Sequence, residues 1–242
     1  QSMGQVYGGQ VVRARQVILA VGGIEQPAVF RNNDLPGILS AGAVRRLIRL
    51  YGVAPGRRAV VMAGTPEGLD AAEDMVAAGI GIAALVLPRP LTAHEARIAA
   101  LAATGAEVIM GRIEEASGSR RVARVRVGGR WIGCDVVAVS VGQAPAWQLP
   151  CQAGAVLRHD TATGRFTLRL DRPGLDLAGT VNGYAGHAAV LADGHRAGRR
   201  AAGLPTGDVA RASDPGAALS FWHQPLDPHP GGKDFVDFDE DL

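Results

Sequence analysis

Cysteine and aromatic residues are scarce in this chain of 242 residues. It has two cysteines, Cys134 and Cys151, and aromatic residues make up 5% of the sequence. The two cysteines match no metal-binding spacing, and they favour a reducing compartment in which both thiols are buried or idle. The sequence therefore predicts no metal site.

Strong charge of one sign and long apolar runs are absent as well. The formal net charge is +2, which is too small to indicate a nucleic-acid or anionic-membrane partner. No apolar run approaches the length that crosses a bilayer, and no secretory signal pattern is visible. We therefore expect a cytoplasmic protein that has neither nucleic acid nor a membrane as a partner.

Small and apolar residues make up much of the chain. Hydrophobic residues account for 47% of it, charged residues for 20%, and 33 residues are glycine. This balance is typical of a globular protein and suits an α/β fold in which helices pack tightly on strands. The length is enough for one large domain or two small ones.

The middle of the chain alternates strand and helix signals. The segments 59–64, 82–87 and 106–110 are short apolar strands, and the segments 67–78 and 92–103 have helical periodicity. Short connections in this β-α-β-α-β order imply a parallel sheet with right-handed crossovers. The pattern predicts an α/β protein that contains a βαβαβ unit.

Further elements flank this unit. Strict alternation on both sides of Gly128-Gly129 predicts an antiparallel hairpin, whose second arm passes into a buried strand. The other predicted elements are strands within 10–21, at 165–170 and at 174–178, and helices at 40–51 and 184–202.

Three turns could bring the backbone close to a dinucleotide. The first is LAVGG, residues 19–23, at the end of a buried strand. Small residues at the carboxyl end of a strand let phosphates or a ring approach the backbone, and open α/β sheets bind their ligands there. Ala20, Gly22 and Gly23 are therefore candidate cofactor contacts, and a plain strand-to-loop turn is the alternative.

The second turn is GTPEG, residues 64–68, between a strand and a helix. It occupies the place of a G-x-G-x-x-G fingerprint but supplies only two glycines, at a different spacing. The next strand ends in Pro88 and Arg89, without the carboxylate that usually holds the ribose of NAD. We interpret this segment as a degenerate nucleotide fold with a structural role.

The third turn follows the strand at 174–178 and precedes a helix expected to begin near Tyr184. Backbone amides at a helix start, with the positive end of the helix dipole, form a seat for an anion. Thr180 and Asn182 can add hydrogen bonds to a ribose or pyrophosphate. The candidate cofactor contacts here are Gly179, Thr180, Val181, Asn182, Gly183, Ala185 and His187.

No catalytic motif is visible. The chain lacks G-x-S-x-G, H-E-x-x-H and C-x-x-C. His187, expected one turn into the helix, is more simply a solvated or packed residue than a catalyst. Arg196, Arg199 and Arg200 are interpreted as a solvated face near the end of that helix.

Taken in order, several segments resemble those of one family. RARQVILAVGGIEQPAVFRNNDLPGILSAGAVRRLIRLYGVAPGRRAVVMAG is similar to the stretch of sarcosine oxidase alpha subunits in which VLATGAxERP precedes NNDxPGI and YGVxPGxRAVV. AVSVGQAPAWQL resembles the VSGGWNP segment of that family, LAGTVNGYAGHAAVLADG its helix start, and GGKDFVDFDEDL its KAFVDFQND segment. The resemblance spans nearly the whole chain, and NNDxPGI and FVDF are its more specific elements.

The resemblance implies a two-dinucleotide-binding-domain, Rossmann-like flavoprotein fold of the pyridine nucleotide-disulfide oxidoreductase type. In this family the alpha subunit holds NAD and works with beta, gamma and delta subunits. FAD lies in the beta subunit, and FMN lies between alpha and beta. The complex demethylates sarcosine to glycine, with tetrahydrofolate as one-carbon acceptor and oxygen as oxidant. By resemblance, Thr180, Ala185 and His187 would contact the NAD.

Departures from the family pattern fall at two turns. The usual Ala-Thr-Gly is Ala20-Val21-Gly22 here, and Gly-Gly-Trp is Val141-Gly142-Gln143. An alpha-type subunit of an amine, opine, proline or hydrogen cyanide-forming dehydrogenase shares the same nucleotide core and is one alternative. The other is a non-catalytic scaffold that keeps the nucleotide fold and docks a partner subunit.

The expected organisation has four parts. Residues 1–54 form part of a first dinucleotide-binding domain, to which residues 143–203 return. Residues 55–142 form the second, degenerate domain, and residues 204–242 form a linker toward a C-terminal folate-binding domain. Both ends look cut, so we expect an internal fragment of a longer subunit that lacks the first βαβ unit.

The fragment interpretation predicts low solubility. Removing the first strand of a doubly wound sheet exposes an apolar edge, and such edges promote aggregation. We therefore expect the isolated 242-residue chain to be poorly soluble, and a sharp, cooperative thermal melt of the purified chain would contradict this.

Overall fold

The computed structural model describes residues 4–7, 10–160, 165–184 and 186–206. The strands are β1 (Gly4–Tyr7), β2 (Gln10–Arg13), β3 (Val17–Leu19), β4 (Gly23–Glu25), β5 (Ile38–Ser40), β6 (Arg58–Ala63), β7 (Gly81–Leu87), β8 (Glu107–Met110), β9 (Ile113–Ser117), β10 (Arg124–Val127), β11 (Arg130–Gly133), β12 (Val136–Ser140), β13 (Gln143–Pro145), β14 (Val156–Asp160), β15 (Arg165–Arg169) and β16 (Leu175–Leu177). The α-helices are α1 (Ala41–Tyr51), α2 (Pro66–Ala77), α3 (Glu95–Ala103), α4 (Gln148–Gln152) and α5 (His187–Ala201), and 3₁₀ turns occupy Thr92–His94 and Gly179–Asn182.

Five parallel strands form the main sheet, in the order β5-β12-β6-β7-β8. The helices α2 and α3 connect β6 to β7 and β7 to β8, so the predicted βαβαβ unit is confirmed. The hairpin of β10 and β11 is also confirmed, with Gly128 and Gly129 both at positive φ in its turn. Its second arm leads into β12, which is fully buried.

Side chains of β6 alternate between two separate cores. Ala59, Val61 and Ala63 face the helices, where they pack with residues of α1 and α2. Val60 and Met62 face the opposite way, toward an antiparallel sheet of β9, β10 and β11. Because both faces of the strand are covered, its sequence is a continuous apolar run rather than an alternating one.

A close approach of helix to strand depends on Gly68. A Cβ at this position would lie 2.7 Å from both Cα and Cβ of Ala63, and 3.1 Å from Cβ of Ser140. The helix α2 therefore rests directly on the backbone of β6. The small residues of the sequence serve this contact, as the composition suggested.

Buried charge joins α1 to α2. Asp74 is 6% exposed, and its Oδ2 accepts hydrogen bonds from Nε of Arg45 at 3.1 Å and of Arg49 at 2.7 Å. Burial alone would raise the pKa of Asp74, but the hydrogen bonds and positive charges of the two arginines outweigh it and hold the pKa below its usual value. Arg45 and Arg49 thus join α1 to α2.

A smaller part of the chain pairs β3 with β16. The two strands run parallel, and α5 contacts β3. Leu19, Leu175, Leu177 and Val181 form the apolar cluster beneath them. Strands β4 and β13, which we call the crossover ribbon, pair with each other and link this part to the main sheet.

Several elements differ from the sequence predictions. Strands β4, β5, β9 and β14 and helix α4 were not predicted. Strand β4 has only three residues, which is too short for a periodic pattern. Its extended conformation is fixed by its pairing with β13. Tyr51, the last residue of α1, is 67% exposed.

The main sheet crosses the boundary predicted at residue 55. Strand β5 and helix α1 pack with the main sheet, which therefore extends to the N-terminal side of residue 55. The four-part division itself stays a prediction. The predicted linker beyond residue 206 lies outside the described residues.

Two further properties concern the described residues. None of their helices combines the length and apolar character needed to cross a membrane. The thiol of Cys134 is free and buried, and burial raises its pKa to about 12.

Gly68→Ala tests the contact between α2 and β6. We expect the variant to lose about 1–3 kcal/mol of unfolding free energy, because its methyl group would overlap the backbone of β6. Gly194→Ala in α5 is the matched control, since nothing lies within 4 Å of its added Cβ, and it should gain about 0.5–1 kcal/mol. Urea unfolding followed by circular dichroism measures both, and a stabilised Gly68→Ala variant would contradict the packing.

Candidate functional site

Two of the predicted ligand turns lie side by side. Leu19 of β3 is opposite Leu177 of β16 in the parallel register, and the amide of Ala178 donates to the carbonyl of Leu19 at 3.0 Å. Parallel strands end at the same edge of their sheet, so the turns that follow β3 and β16 meet there. The LAVGG turn and the turn at 179–183 therefore form one candidate site.

Gly23 lies at the contact between the two turns. A Cβ on Gly23 would lie 2.9 Å from Cγ2 of Thr180, 3.0 Å from Oε1 of Gln143 and 3.1 Å from the carbonyl oxygen of Ala144. A larger residue would push the turns apart. Gly22 is at φ 79°, a backbone conformation that favours glycine.

Most of the predicted contacts are open to solvent. Full or partial exposure is shared by Ala20, Gly22, Gly23, Thr180, Asn182, Gly183 and His187. Gly179 and Val181 are buried, and the side chain of Val181 packs in the apolar cluster. Ala185 lies outside the described residues. The exposed positions leave the turn backbones accessible to a ligand.

Asp193 organises the second turn and was missed in the sequence. Its carboxylate is 2% exposed. The oxygen Oδ2 accepts from the amide of Gly179 at 2.8 Å and from Nδ2 of Asn182 at 3.2 Å. It lies two turns into α5. From the sequence alone an aspartate at such a position is expected to be solvated, because its partners outside the helix are not known.

The arginine nearest this turn is not solvated, contrary to the sequence interpretation. The side chain of Arg196 is 13% exposed, and its Nη2 donates to Oδ1 of Asp193 at 2.9 Å. Its guanidinium lies 5.1 Å from the ring centroid of Tyr184. Burial lowers the pKa of Arg196, but its contacts with Asp193 and Tyr184 outweigh this and raise it. Arg200 likewise binds Asp176, at 2.7 Å.

The helix start was predicted too early. The residues 179–182 form a 3₁₀ turn, and α5 begins at His187 rather than near Tyr184. Gly186 takes the N-cap position at φ 78° and offers no capping side chain. His187 is therefore the exposed first residue of the helix. The free backbone amides of the helix N-terminus lie farther along the chain than predicted.

A cleft of about 280 Å³ opens beside the second turn. Asn182 is one of its lining residues, and the others belong to the end of β15, the residue after it and strand β16. Asp176 and Arg169 give its wall polar groups of both charges. Asn182 therefore belongs both to the turn and to the wall of the cleft.

The GTPEG turn has the features of a closed structural turn. Thr65 lies within 2.6 Å of Ser140 through their hydroxyl oxygens, and Nε of Arg89 donates to the carbonyl of Gly64 at 2.8 Å. Pro66 at the first position of α2 has no amide to offer an anion, and Glu67 adds negative charge in the same turn. These contacts agree with the degenerate turn that the sequence indicated.

Among the described residues, no cluster of three or more His, Cys, Asp or Glu side chains is placed to hold a metal ion.

Comparison with known proteins finds sarcosine oxidase alpha subunits among the relatives of this chain. It is 32% identical over 238 residues to the sarcosine oxidase alpha subunit of Rhizobium meliloti, covering 95% of this chain and 24% of that protein. It is 34% identical over 204 residues to the alpha subunit of Corynebacterium sp. strain P-1, covering 79% of this chain and 21% of that protein. The resemblance to sarcosine oxidase alpha subunits is confirmed. The chain spans less than a quarter of the length of these relatives.

Solved structures with the same fold have low sequence identity. L-proline dehydrogenase from P. horikoshii superimposes with a TM-score of 0.57 at 22% identity, over 81% of this chain and 38% of that one. An FAD-dependent pyridine nucleotide-disulphide oxidoreductase from Desulfovibrio vulgaris gives 0.55 at 20% identity, over 70% and 46%. The chain therefore has the expected Rossmann-like α/β fold. No family model matches it.

Asp193→Ala tests the support of the second turn. We expect a loss of about 2–4 kcal/mol in unfolding free energy, because the variant leaves the Gly179 amide and the Arg196 guanidinium without their buried acceptor. Asp171→Ala is the control, since its ion pair with Arg169 is exposed and should contribute about 0.5 kcal/mol or less. Chemical denaturation measures both variants. Equal losses of unfolding free energy would contradict the structural role of Asp193.

Proposed function

We propose that the paired turns after β3 and β16 bind NAD. The proposal is supported by their place at the carboxyl edge of parallel strands, where open α/β sheets hold ligands. The candidate contacts are the backbone at Ala20, Gly22 and Gly23, and the residues of the turn at 179–183. Ala185 and His187 are added by resemblance to the relatives.

The groups of the site suit a dinucleotide. Small residues let the pyrophosphate approach backbone amides, and Gly23 keeps the first turn close to Thr180. The hydroxyl of Thr180 can donate to a phosphate or accept from a ribose. One N–H of the Asn182 side chain donates to Asp193, which leaves its second N–H as a donor and its amide oxygen as an acceptor for a ribose.

The whole protein is then an oxidoreductase subunit that acts on CH–NH groups. We propose that it is the alpha subunit of a sarcosine oxidase, which demethylates sarcosine to glycine with tetrahydrofolate as acceptor and oxygen as oxidant. Its partners would be beta, gamma and delta subunits that carry FAD and share FMN, in the cytoplasm. The alpha-subunit names of the relatives support this proposal. No residue of this chain is proposed to be catalytic.

Two alternatives share the nucleotide fold. The first is an alpha-type dehydrogenase subunit, for which the likeness to L-proline dehydrogenase at 22% identity supplies the fold alone. The higher identity to the oxidase subunits, 32% and 34%, weighs against it. The closed GTPEG turn favours the second alternative, a nucleotide fold that only docks a partner.

Cofactor analysis of the intact protein decides between these functions. The full-length protein is expressed with its partner subunits, and the released cofactors are identified by mass. NAD together with FAD and FMN is the expected result. FAD with an iron–sulfur cluster would instead indicate the dehydrogenase, and no nucleotide at all would leave the docking role.

Thr180→Val locates the NAD in the proposed site. The variant keeps the shape of the side chain and loses its hydroxyl, so we expect about tenfold weaker NAD binding, as for one lost hydrogen bond. Thr167→Val, on an exposed position of β15, is the control and should bind like the wild type. Calorimetry on the full-length protein measures both, and equal affinities would place the NAD elsewhere.

A further inference from the structure

The crossover ribbon connects the candidate nucleotide site to the main sheet. In the ribbon, Gly23 is opposite Pro145 and Glu25 is opposite Gln143. Strand β4 continues from the LAVGG turn, and β13 follows β12 of the main sheet. The position of the turn therefore depends on how the ribbon is held.

The carboxylate of Glu25 holds one end of the ribbon on the start of α1. Its Oε1 accepts from the amide of Gly42 at 2.8 Å, and its Oε2 accepts from the hydroxyl of Ser40 at 2.7 Å. Ser40 is also the N-cap of α1, since its Oγ accepts from the amide of Ala43. A carboxylate satisfies the free amides of a helix start and complements its dipole.

Gly42 is the residue that makes this contact possible. A Cβ at this position would lie 3.0 Å from Cδ of Glu25 and closer still to its Oε2. Glycine within a helix normally costs stability relative to alanine. Gly42 therefore lowers the stability of the helix relative to alanine, but it lets the carboxylate of Glu25 approach the helix backbone.

The same three-residue strand carries both ends of the connection. Gly23 begins β4 and packs against Thr180 in the candidate site, and Glu25 ends β4 on α1. Only Ile24 separates the residue bound to α1 from the residue that lies between the two turns.

We propose that Glu25 is a positioning residue that anchors the crossover ribbon to α1 and so sets the place of Gly23 in the nucleotide site. The inference rests on the proposed NAD function for its second part only. The anchor between Glu25 and Gly42 stands on the contacts alone.

A double-mutant cycle in the full-length protein tests the anchor. Gly42→Ala lowers the melting temperature in the wild-type background, because the new methyl group displaces the carboxylate. In the Glu25→Ala background the same substitution raises the melting temperature, since only the helix preference for alanine remains. Effects of the same sign in both backgrounds overturn the anchor.

NAD binding to the same variants tests the positioning. Glu25→Ala weakens NAD binding about tenfold, because Gly23 is no longer held in its place against Thr180. Glu25→Gln keeps an oxygen for the Gly42 amide and recovers most of the affinity. Glu95→Gln, which removes a carboxylate from the first turn of α3, binds like the wild type.

The outcomes separate the two claims. A sign reversal in the melting cycle with unchanged NAD affinity in Glu25→Ala overturns the positioning role. A wild-type protein that binds no NAD refutes the proposed function, and the melting cycle then decides the anchor by itself.

Discussion

Parallel pairing between strands that are distant in the sequence is the constraint on which both parts of the structure depend. Strand β3 pairs with β16, and β12 inserts between β5 and β6. Parallel pairing brings the carboxyl ends of neighbouring strands to one edge, so turns that most of the chain separates come into contact. The helices cover one face of the main sheet and the antiparallel strands cover the other, so the apolar side chains on both faces are buried.

Carboxylates from distant elements fix the backbone around these strands. Asp193 holds the amide of Gly179, Glu25 holds that of Gly42, and Asp135 accepts from the amides of Arg57 and Arg58. A carboxylate that leaves water costs free energy unless hydrogen bonds replace its hydration. Each of these three therefore stabilises one particular geometry, because only that geometry supplies its donors.

The two nucleotide-like regions differ in what they offer a ligand. The turns after β3 and β16 expose small residues and a threonine, with the buried Asp193 beneath them. The GTPEG turn is occupied by its own contacts, to Ser140 and Arg89. The first region thus suits the proposed cofactor binding, whereas the second is a closed structural turn.

The sequence alone determined the α/β class, the βαβαβ unit, the hairpin at Gly128-Gly129 and the position of both candidate turns, because these signals are local periodicities and small-residue clusters. Only the tertiary structure decided that the turns meet at Gly23, that α5 starts at His187, and that Arg196 pairs with the buried Asp193. Strand β4 was missed for the same reason as Asp193. Its conformation is fixed by hydrogen bonds to residues far along the chain, and no local pattern records which distant donors and acceptors a folded chain will supply.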